Sequence, residues 1–399
     1  MLNRPFVAMA ACLVAAACVF PYSSLASESG SWLTLKHEYF WDKNGVWNHT
    51  PVMELALALT RKWSIGWEQE VDVVSGASRR LGSDEVAPFF GRENDAVSGA
   101  SKVEVRHSEN PSVTYAHGGV SLSGGVYYSD ESDYTSLAPS AAIAWEFNER
   151  NTTLGMNYAE FFDDFHPQGE FSMEGGKKRI TSLGATVAQT VSPLTLIGLT
   201  ASYVKSWGNL GHPYNPPMDA NGVMLTEVVP DKKMGVAISA QWVQGFFIGE
   251  ALNSINLDSR SYADDWGLKS ITLDAKWNYR VNEGTTIRFR GRYYYQTGTD
   301  FALPFYSGAE TFRTADIRFY PFTSYLAGIR LASVFPDSWS AVGWLPDSWD
   351  IKYDFLWRDT QGDPDPIAGQ PRSIRYQLYE PEENYTQGVV MIGMTFDLP

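Results

Sequence analysis

The sequence has almost no cysteine. Its 399 residues include two, Cys12 and Cys18, and both lie near the N-terminus within or beside an apolar run over 6–20. A basic residue before that run and small residues after it are typical of a cleaved secretory signal. We therefore predict a signal peptide over residues 1–26 and an exported domain over 27–399. Without cysteine, that domain has no disulfide, no thiolate nucleophile and no cysteine-ligated metal or haem.

Long apolar runs and an excess of cations are also missing. The apolar run is shorter than the ~20 residues of a membrane-spanning helix, and the mean hydropathy is −0.24. The net charge of −15 argues against nucleic-acid binding, because phosphate affinity comes from Lys and Arg. No motif predicts a cofactor or a metal. Aromatic residues nevertheless make up 14% of the chain, and the fold must place them.

What the sequence does contain is alternation. From Ser270 to Arg280 apolar and polar residues alternate, which is the period of a β-strand with two unlike faces. Residues 281–284 then predict a turn, and the alternation resumes from Ile287, which gives a hairpin. The same pattern recurs at 53–60, 143–148 and 349–358.

Strand length and aromatic placement favour a membrane barrel over a soluble sandwich. The alternating segments run for roughly 10 to 13 residues, close to the ~9–11 that cross a bilayer, whereas soluble strands average ~5–6. Aromatic residues lie near the strand ends, where a barrel has its interfacial girdles. They are Trp32, Tyr39, Trp41, Trp63, Trp67, Trp207, Tyr279, Trp349 and Trp357.

Short and long connections alternate along much of the chain. Short ones are expected at 61–62, 118–119, 148–151, 192–193 and 281–284, and long ones at 76–102, 163–178, 207–233 and 359–384. Outer-membrane barrels have short periplasmic turns and long extracellular loops. We therefore predict an all-β fold, a single antiparallel transmembrane β-barrel of about 16 strands, with 14 as the alternative. The expected strand centres are residues 36, 56, 69, 110, 125, 141, 157, 184, 200, 239, 254, 274, 291, 323, 353 and 391.

Alternation is weakest over 103–130 and 311–335, and the second of these segments fits either one strand or two. The last strand places Val390, Ile392, Met394, Phe396 and Leu398 on one face. It resembles the C-terminal tag that the barrel assembly machinery reads, although Phe396 is not the final residue. The predicted location is the outer membrane of a Gram-negative bacterium. The expected partners are outer-membrane lipid, lipopolysaccharide and the assembly machinery.

Two echoing segments carry a family resemblance. Asp72–Ser78 reads DVVSGAS and Asp95–Ser101 reads DAVSGAS. Together with Ser129–Tyr134 and Tyr262–Gly267, they resemble the domain of unknown function 3570 family of bacterial outer-membrane β-barrels. The resemblance implies fold and location but no activity. It also implies a periplasmic redox protein as an alternative partner, because relatives are often encoded near exported redox proteins.

The echoing motif and two acidic pairs each have a structural and a functional interpretation. Small hydroxyl residues beside glycine suit a strand end that turns into a loop, or else the repeat folds a loop over the barrel mouth. The motif residues are Ser75, Gly76, Ser78, Ser98, Gly99 and Ser101. The pairs Asp163–Asp164 and Asp264–Asp265 predict solvated acidic loops, or sites for divalent cations that bridge lipopolysaccharide.

The strand from Ile287 predicts a charged lumen. If Ile287 and Phe289 face lipid, then Arg288, Arg290 and Arg292 face inward, because an arginine at the bilayer midplane costs ~2–4 kcal/mol. Further charges are expected on the same face at Lys276, Asp274, Asp350, Lys352, Asp354 and Arg358. These residues either line a water-filled pore or form an internal salt-bridge network that fills the barrel.

No catalytic constellation is evident. None of the six histidines belongs to a paired metal motif or a Gly-x-Ser-x-Gly elbow, and we predict that the protein is not an enzyme. The main hypothesis is a porin-like passive channel for small solutes, with the arginine row favouring anions. The alternatives are a scaffold barrel that holds a redox partner and an outer-membrane barrel hydrolase.

Overall fold

The structure is a computed structural model, and it describes ten stretches of the chain. They are residues 30–43, 46–75, 103–167, 175–211, 217, 219, 225–303, 306–336, 345–359 and 384–398. The predicted signal peptide lies outside them and stays a prediction. Among the described residues, no helix is long and apolar enough to cross a membrane.

Sixteen antiparallel strands close into one barrel, in which each strand pairs with its neighbours in sequence and β1 pairs with β16. The predicted fold class and strand number are confirmed, and the alternative of fourteen strands is wrong. The strands are β1 Ser31–Asp42, β2 Trp47–Ala58, β3 Trp63–Ser75, β4 Val103–His117, β5 Val120–Glu131, β6 Tyr134–Phe147, β7 Thr152–Phe165, β8 Gly176–Ser192, β9 Thr195–Gly208, β10 Lys232–Ile248, β11 Ala251–Asp264, β12 Lys269–Arg280, β13 Thr285–Gln296, β14 Phe322–Val334, β15 Ser348–Asp359 and β16 Asn384–Leu398.

Every predicted strand centre falls inside its strand. The segment 103–130 forms β4 and β5 around the two-residue turn 118–119. The segment 311–335 is neither one long strand nor two, because it holds a 3₁₀ helix at Ile317–Phe319 followed by β14.

Each strand has an apolar face and a polar face. On β12, Ile271, Leu273 and Trp277 are 38–47% exposed, whereas Asp274 between them is 6% exposed. Arg290 on β13 reaches across β14 to Asp354 on β15, at 3.6 Å. Side chains two strands apart converge in this way on the concave side of a closed sheet. The polar face is therefore the inner wall and the apolar face the outer wall.

The two ends of the barrel differ in the length of their connections. One end holds the first residues of β1, the last residues of β16 and short turns such as 118–119, 193–194 and 249–250. The strand ends that the long connections 76–102, 209–231, 297–321 and 360–383 join all lie at the other end, which we call the long-loop end. The predicted alternation of short and long connections holds for much of the barrel. The long connection 297–321, and the 13-residue connection 335–347 at the short-turn end, were not foreseen.

Aromatic rings line the outer wall near the strand ends, as predicted for eight of the nine residues. Trp32 is the exception, because it has the register of Thr34 and Lys36 and so belongs to the inner wall. On the outer wall, Trp41 stacks on Tyr353 with ring centroids 6.1 Å apart. The ring lies over the strand β16 that separates these two residues in the sheet.

Trp41 reaches Tyr353 only because residue 388 of β16 is glycine. A Cβ atom added at Gly388 would lie 2.3 Å from the Trp41 ring, and overpacking of this kind costs roughly 1–3 kcal/mol. We expect Gly388→Val to lower the free energy of unfolding by that amount in a denaturant titration of the refolded protein. Gly291→Val is the matched control, since Gly291 faces open space on the outer wall of β13. Equal losses in the two variants would contradict the account of this seam.

Candidate functional site: a charged inner wall and a capped mouth

All nine predicted lumen residues lie on the inner wall of β12, β13 and β15. β12 contributes Asp274 and Lys276, β13 the three arginines, and β15 the remaining four. Alternation brings them to one face, because residues i and i+2 of a strand point the same way. The register then sets Asp274 opposite Arg292 and Lys276 opposite Arg290.

Asp274 is the centre of a network of ion pairs along the inner wall, which we call the ladder. Arg290 donates to it at 2.7 Å through one terminal nitrogen and at 3.0 Å through Nε, and Arg292 donates from Nε at 2.8 Å. Lys276 lies 3.7 Å from the same carboxylate and 2.9 Å from Asp258 on β11. A carboxylate that is almost wholly buried is stabilised by such charge-assisted bonds.

β15 extends the ladder beyond β14. Asp354 lies 3.6 Å from Arg290 and 3.5 Å from Lys352, and Asp350 accepts from Arg330 of β14 at 2.9 Å. Near the long-loop end, the Arg358 guanidinium lies 3.7 Å from the centroid of the Phe322 ring.

The ladder runs along the wall. Its ion pairs join side chains on one strand, on adjacent strands or, for Arg290 and Asp354, two strands apart. Of the two arrangements left open by the sequence, salt bridges do form, but those of the ladder follow the sheet. This geometry neutralises much of the ladder without placing its ion pairs across the lumen.

An acidic row on the other side of the barrel was missed by the sequence reasoning. Glu68, Glu70 and Asp72 lie at alternate positions of β3 on the inner wall, and Arg106 of β4 pairs with the last two. Lys36 of β1 pairs with Glu54 of β2. The signal was present, because these acids have the same period of two as the arginine row. They lie in the segment Trp67–Asp72, whose strand was placed from its apolar and aromatic residues without regard to the acids between them.

Apart from Arg280 and Asp397, which lie at the rim with the short turns, four inner-wall charges form no ion pair within 4.0 Å in the described part of the chain. They are Glu38 on β1, Glu68 on β3, Arg260 on β11 and Arg288 on β13. Arg260 lies beside the Tyr262 ring, and Arg288 donates to the side-chain oxygen of Asn278 at 2.6 Å. In the ring of sixteen strands, β3 and β11 are eight positions apart and so lie opposite each other. The uncompensated charge is therefore negative on one side of the barrel and positive on the other.

A folded cap stands at the long-loop end. It consists of the connection between β13 and β14, residues 297–321, which we call the mouth loop, and part of the β9–β10 connection. Val228 and Arg313 exchange two backbone hydrogen bonds at 3.0 and 2.8 Å, and Thr314 donates to the Glu227 carboxylate. Thr314 and Glu227 are 0% and 2% exposed.

Tyr306 holds the mouth loop together from inside. It is 1% exposed, and its hydroxyl oxygen accepts the backbone N–H of Leu303 at 3.2 Å and of Thr314 at 3.0 Å. The same hydroxyl donates to a backbone carbonyl of the loop. Farther out, the backbone N–H groups of Ser307 and Gly308 hydrogen-bond to Glu310 and lower the pKa of its carboxyl to about 2.

The mouth loop contacts inner-wall side chains. Gln296, at the end of β13, donates from its amide to the carbonyls of Arg318 and Tyr320 at 2.6 and 2.7 Å. Lys233, at the start of β10, lies 5.2 Å from the centroid of the Phe319 ring. These contacts place the end of the loop inside the ring of strands, on the β10–β13 side.

The prediction of solvated acidic loops is wrong for the first member of each aspartate pair, Asp163 and Asp264. The Asp264 side chain is fully buried and lies 3.0 Å from Lys233. Asp163 accepts from Ser136 at 2.6 Å and lies 3.5 Å from Lys178. Both acids end a strand on the inner wall, so their burial follows from strand parity. Their neighbours Asp164 and Asp265 are the more exposed members of each pair.

The echoing Ser-Gly-Ala-Ser motif lies outside the described residues except for the backbone of Ser75, which ends β3. A different acidic group appears near the same end, where carboxylate oxygens of Glu104, Glu131 and Asp133 lie within 4.8 Å of one another. Glu104 accepts from the backbone N–H of Ser132 at 3.1 Å, and all three carboxylates have further partners.

Comparison with solved structures finds chains that are similar to this one over most of its length. A bacterial polysaccharide outer-membrane secretin is 8% identical with a TM-score of 0.48, and the match covers 93% of this chain and 99% of that one. OccK2 (OpdF) of Pseudomonas aeruginosa, in complex with glucuronate, is 10% identical with a TM-score of 0.44 and coverages of 93% and 98%. OpdK of the same species, with vanillate, is 10% identical with a TM-score of 0.43 and coverages of 92% and 98%.

Among curated proteins, none matches this chain. The family described as "Protein of unknown function (DUF3570)" matches residues 6–343, and the sequence motifs had indicated the same family. The chain is thus a closed sixteen-stranded β-barrel that belongs to the DUF3570 family.

Proposed function

We propose that the protein is a passive channel for small solutes, with a charged lumen that sorts them by charge. Barrels of sixteen to eighteen strands are wide enough to leave an aqueous channel between their walls. The observation that carries the proposal is the set of uncompensated inner-wall charges, with Glu38 and Glu68 on one side and Arg260 and Arg288 on the other.

Opposed charges of this kind create a field across the lumen, and rings or rows of charged side chains set the ion preference of a pore. The ladder around Asp274 supports the wall on the positive side, because each guanidinium is fixed by a carboxylate on a neighbouring strand. The mouth loop narrows the long-loop end on that same side. Small anions that pass the loop would therefore meet Arg260 and Arg292 before they reach Arg288, which lies nearer the short-turn end.

Liposome swelling tests the proposal. We expect liposomes that contain the refolded protein to swell in small sugars and amino acids, and to swell faster with a small monoanion than with a monocation of equal size. Liposomes made with heat-unfolded protein are the control. Swelling no faster than in that control, for every solute tried, would contradict the channel.

The remaining predictions stand as they were. A scaffold for a redox partner, recognition by the assembly machinery and the absence of enzymatic activity all stay predictions.

A further inference from the structure

A basic patch lies on the outer wall, on the opposite face of the sheet from the lumen. It consists of Arg179 on β8, Lys205 and Trp207 on β9, and Lys232 on β10. In the sheet register, Trp207 lies between Arg179 and Lys232. Lys205 is two residues from Trp207 on the same strand and so shares its face. The rest of the outer wall is mostly apolar. Three cations grouped around one tryptophan on neighbouring strands therefore require an explanation.

The patch marks the upper border of the apolar band. Below it, the outer wall of β8–β10 presents exposed apolar side chains, among them Leu183, Leu199 and Ile238 at 45%, 50% and 59% exposure. On β8, the next outward-facing side chain with an amide or a charge is Gln189, ten residues from Arg179. At ~3.3 Å per residue and a tilt of ~40°, that distance is about 25 Å along the barrel axis. This equals the height of the lipid-facing band of such barrels, so the patch lies at headgroup level in the leaflet on the long-loop side.

Among the described residues, two of its three cations have no carboxylate within ion-pair distance. Arg179 pairs with Glu160, which also accepts hydrogen bonds from Tyr158 and Thr181. In the row above, Lys177 pairs with Asp164 at 3.5 Å. Lys205 and Lys232 form no ion pair within 4.0 Å in the described chain.

The other acids nearby do not neutralise these lysines. Asp265 is exposed, and its Oδ1 accepts the backbone N–H of Met234 at 2.8 Å. Asp231, beside Lys232 in sequence, is exposed and forms no ion pair within 4.0 Å in the described chain. Both lie at the edge of the patch, whereas Lys205 borders the apolar band.

Trp207 completes the site. Its ring lies under two cations, with the Arg179 guanidinium 5.1 Å and the Lys205 ammonium 5.4 Å from the ring centroid. The ring holds both charges at one level, and tryptophan is the side chain that favours the border between lipid and water. Unpaired ammonium groups at that level are matched by anionic headgroups, each of which attracts a nearby lysine.

We propose that Lys205 and Lys232, with Trp207, bind a phosphate of a lipopolysaccharide headgroup in the outer leaflet. The proposal needs the barrel and its orientation and does not depend on channel activity. The test uses the full refolded protein in detergent, with bisphosphorylated lipid A as the probe and native mass spectrometry or tryptophan fluorescence as the readout.

We expect bisphosphorylated lipid A to bind, its dephosphorylated form to bind more weakly, and added NaCl to weaken the difference. Lys205→Gln with Lys232→Gln should raise the Kd for lipid A at least about tenfold. Arg61→Gln with Lys62→Gln, which removes two exposed cations in the turn at the opposite end, should leave it unchanged. Heat-dependent gel mobility shows that each variant is folded, and the single variants are used if the double variant is not.

Four results would overturn the proposal. One is an unchanged Kd in the folded Lys205 and Lys232 variants. Another is equal binding of dephosphorylated lipid A. The third is full competition by inorganic phosphate at the same concentration, which would assign the patch to free phosphate. Equal or tighter binding of phosphatidylglycerol would assign the patch to a phospholipid headgroup and would also contradict the proposal.

Discussion

Neutralising Arg260 and Arg288 is expected to make the channel more cation-selective by about fivefold, since each unit charge acts on a monovalent ion ~8 Å away in water by about 0.5 kcal/mol. Neither arginine has an ion-pair partner within 4.0 Å among the residues that the structure describes. Arg260→Gln with Arg288→Gln therefore strands no carboxylate. The measurement is the reversal potential in a salt gradient across a planar bilayer, at low ionic strength so that screening is weak.

The mirror variant makes the test symmetrical. Glu38→Gln with Glu68→Gln removes two unpaired negative charges from the opposite side and should shift the selectivity toward anions by a similar factor. Arg61→Gln with Lys62→Gln is the control, because those cations lie at the rim, roughly 20 Å along β3 from Glu68, where a unit charge acts with less than half of its energy at ~8 Å. Shifts of the same sign in both inner-wall variants would refute the opposed-charge arrangement.

Tyr306→Phe is expected to loosen the mouth loop without harming the barrel. The substitution removes the acceptor of two backbone N–H groups, those of Leu303 and Thr314, inside a 1% exposed site. The Thr314 N–H is buried, and a buried donor left without a partner costs roughly 1–3 kcal/mol, so the loop should lose about that much local stability. We expect faster cleavage of the loop by added protease, and noisier and larger open-channel currents.

Tyr325→Phe is the matched control for that loss. Tyr325 is a 46% exposed tyrosine on the outer wall of β14, and it packs on the Trp357 ring. Losing its hydroxyl should leave both protease resistance and current noise unchanged. If Tyr306→Phe changes neither property, the cap is not held by this hydroxyl. If Tyr306→Phe instead lowers the denaturant concentration at which the whole protein unfolds, the loop and the barrel are one cooperative unit.

The strands could be placed from the sequence because their signal is local. In a barrel wall, one face meets lipid and the other water, so each strand carries its own alternation, as Ser270–Arg280 shows. The same parity identified the inner-wall position of Arg288, Arg290 and Arg292. It also would have found Glu68, Glu70 and Asp72, had acids been followed as closely as apolar residues.

What the sequence could not give depends on distant partners. The mouth loop is folded by contacts such as Thr314 with Glu227, which are 87 residues apart. The burial of Asp264 depends on Lys233, from a different strand. The pairing of Arg290 with Asp354 requires that β14 present Gly328 between them, since a Cβ there would lie 2.1 Å from the Asp354 carboxylate. Local sequence patterns carry no information on contacts between residues that are distant in sequence.

Trp207 shows the same limit on the outer wall. Its place near a strand end indicated a girdle residue, and the register confirms that it faces outward. Only the pairing of β8, β9 and β10 reveals that Arg179, Lys205 and Lys232 converge on it. Lys232, which the sequence placed in the connection 207–233, is part of this patch.

Single-channel recording from the refolded protein in a planar bilayer tests the central claim most directly. The account predicts discrete current steps in symmetrical salt, with a step size that scales with salt concentration, as expected of a water-filled lumen. The claim would be contradicted by a membrane that stays silent although the inserted protein is shown to be folded by its heat-dependent mobility and its protease resistance.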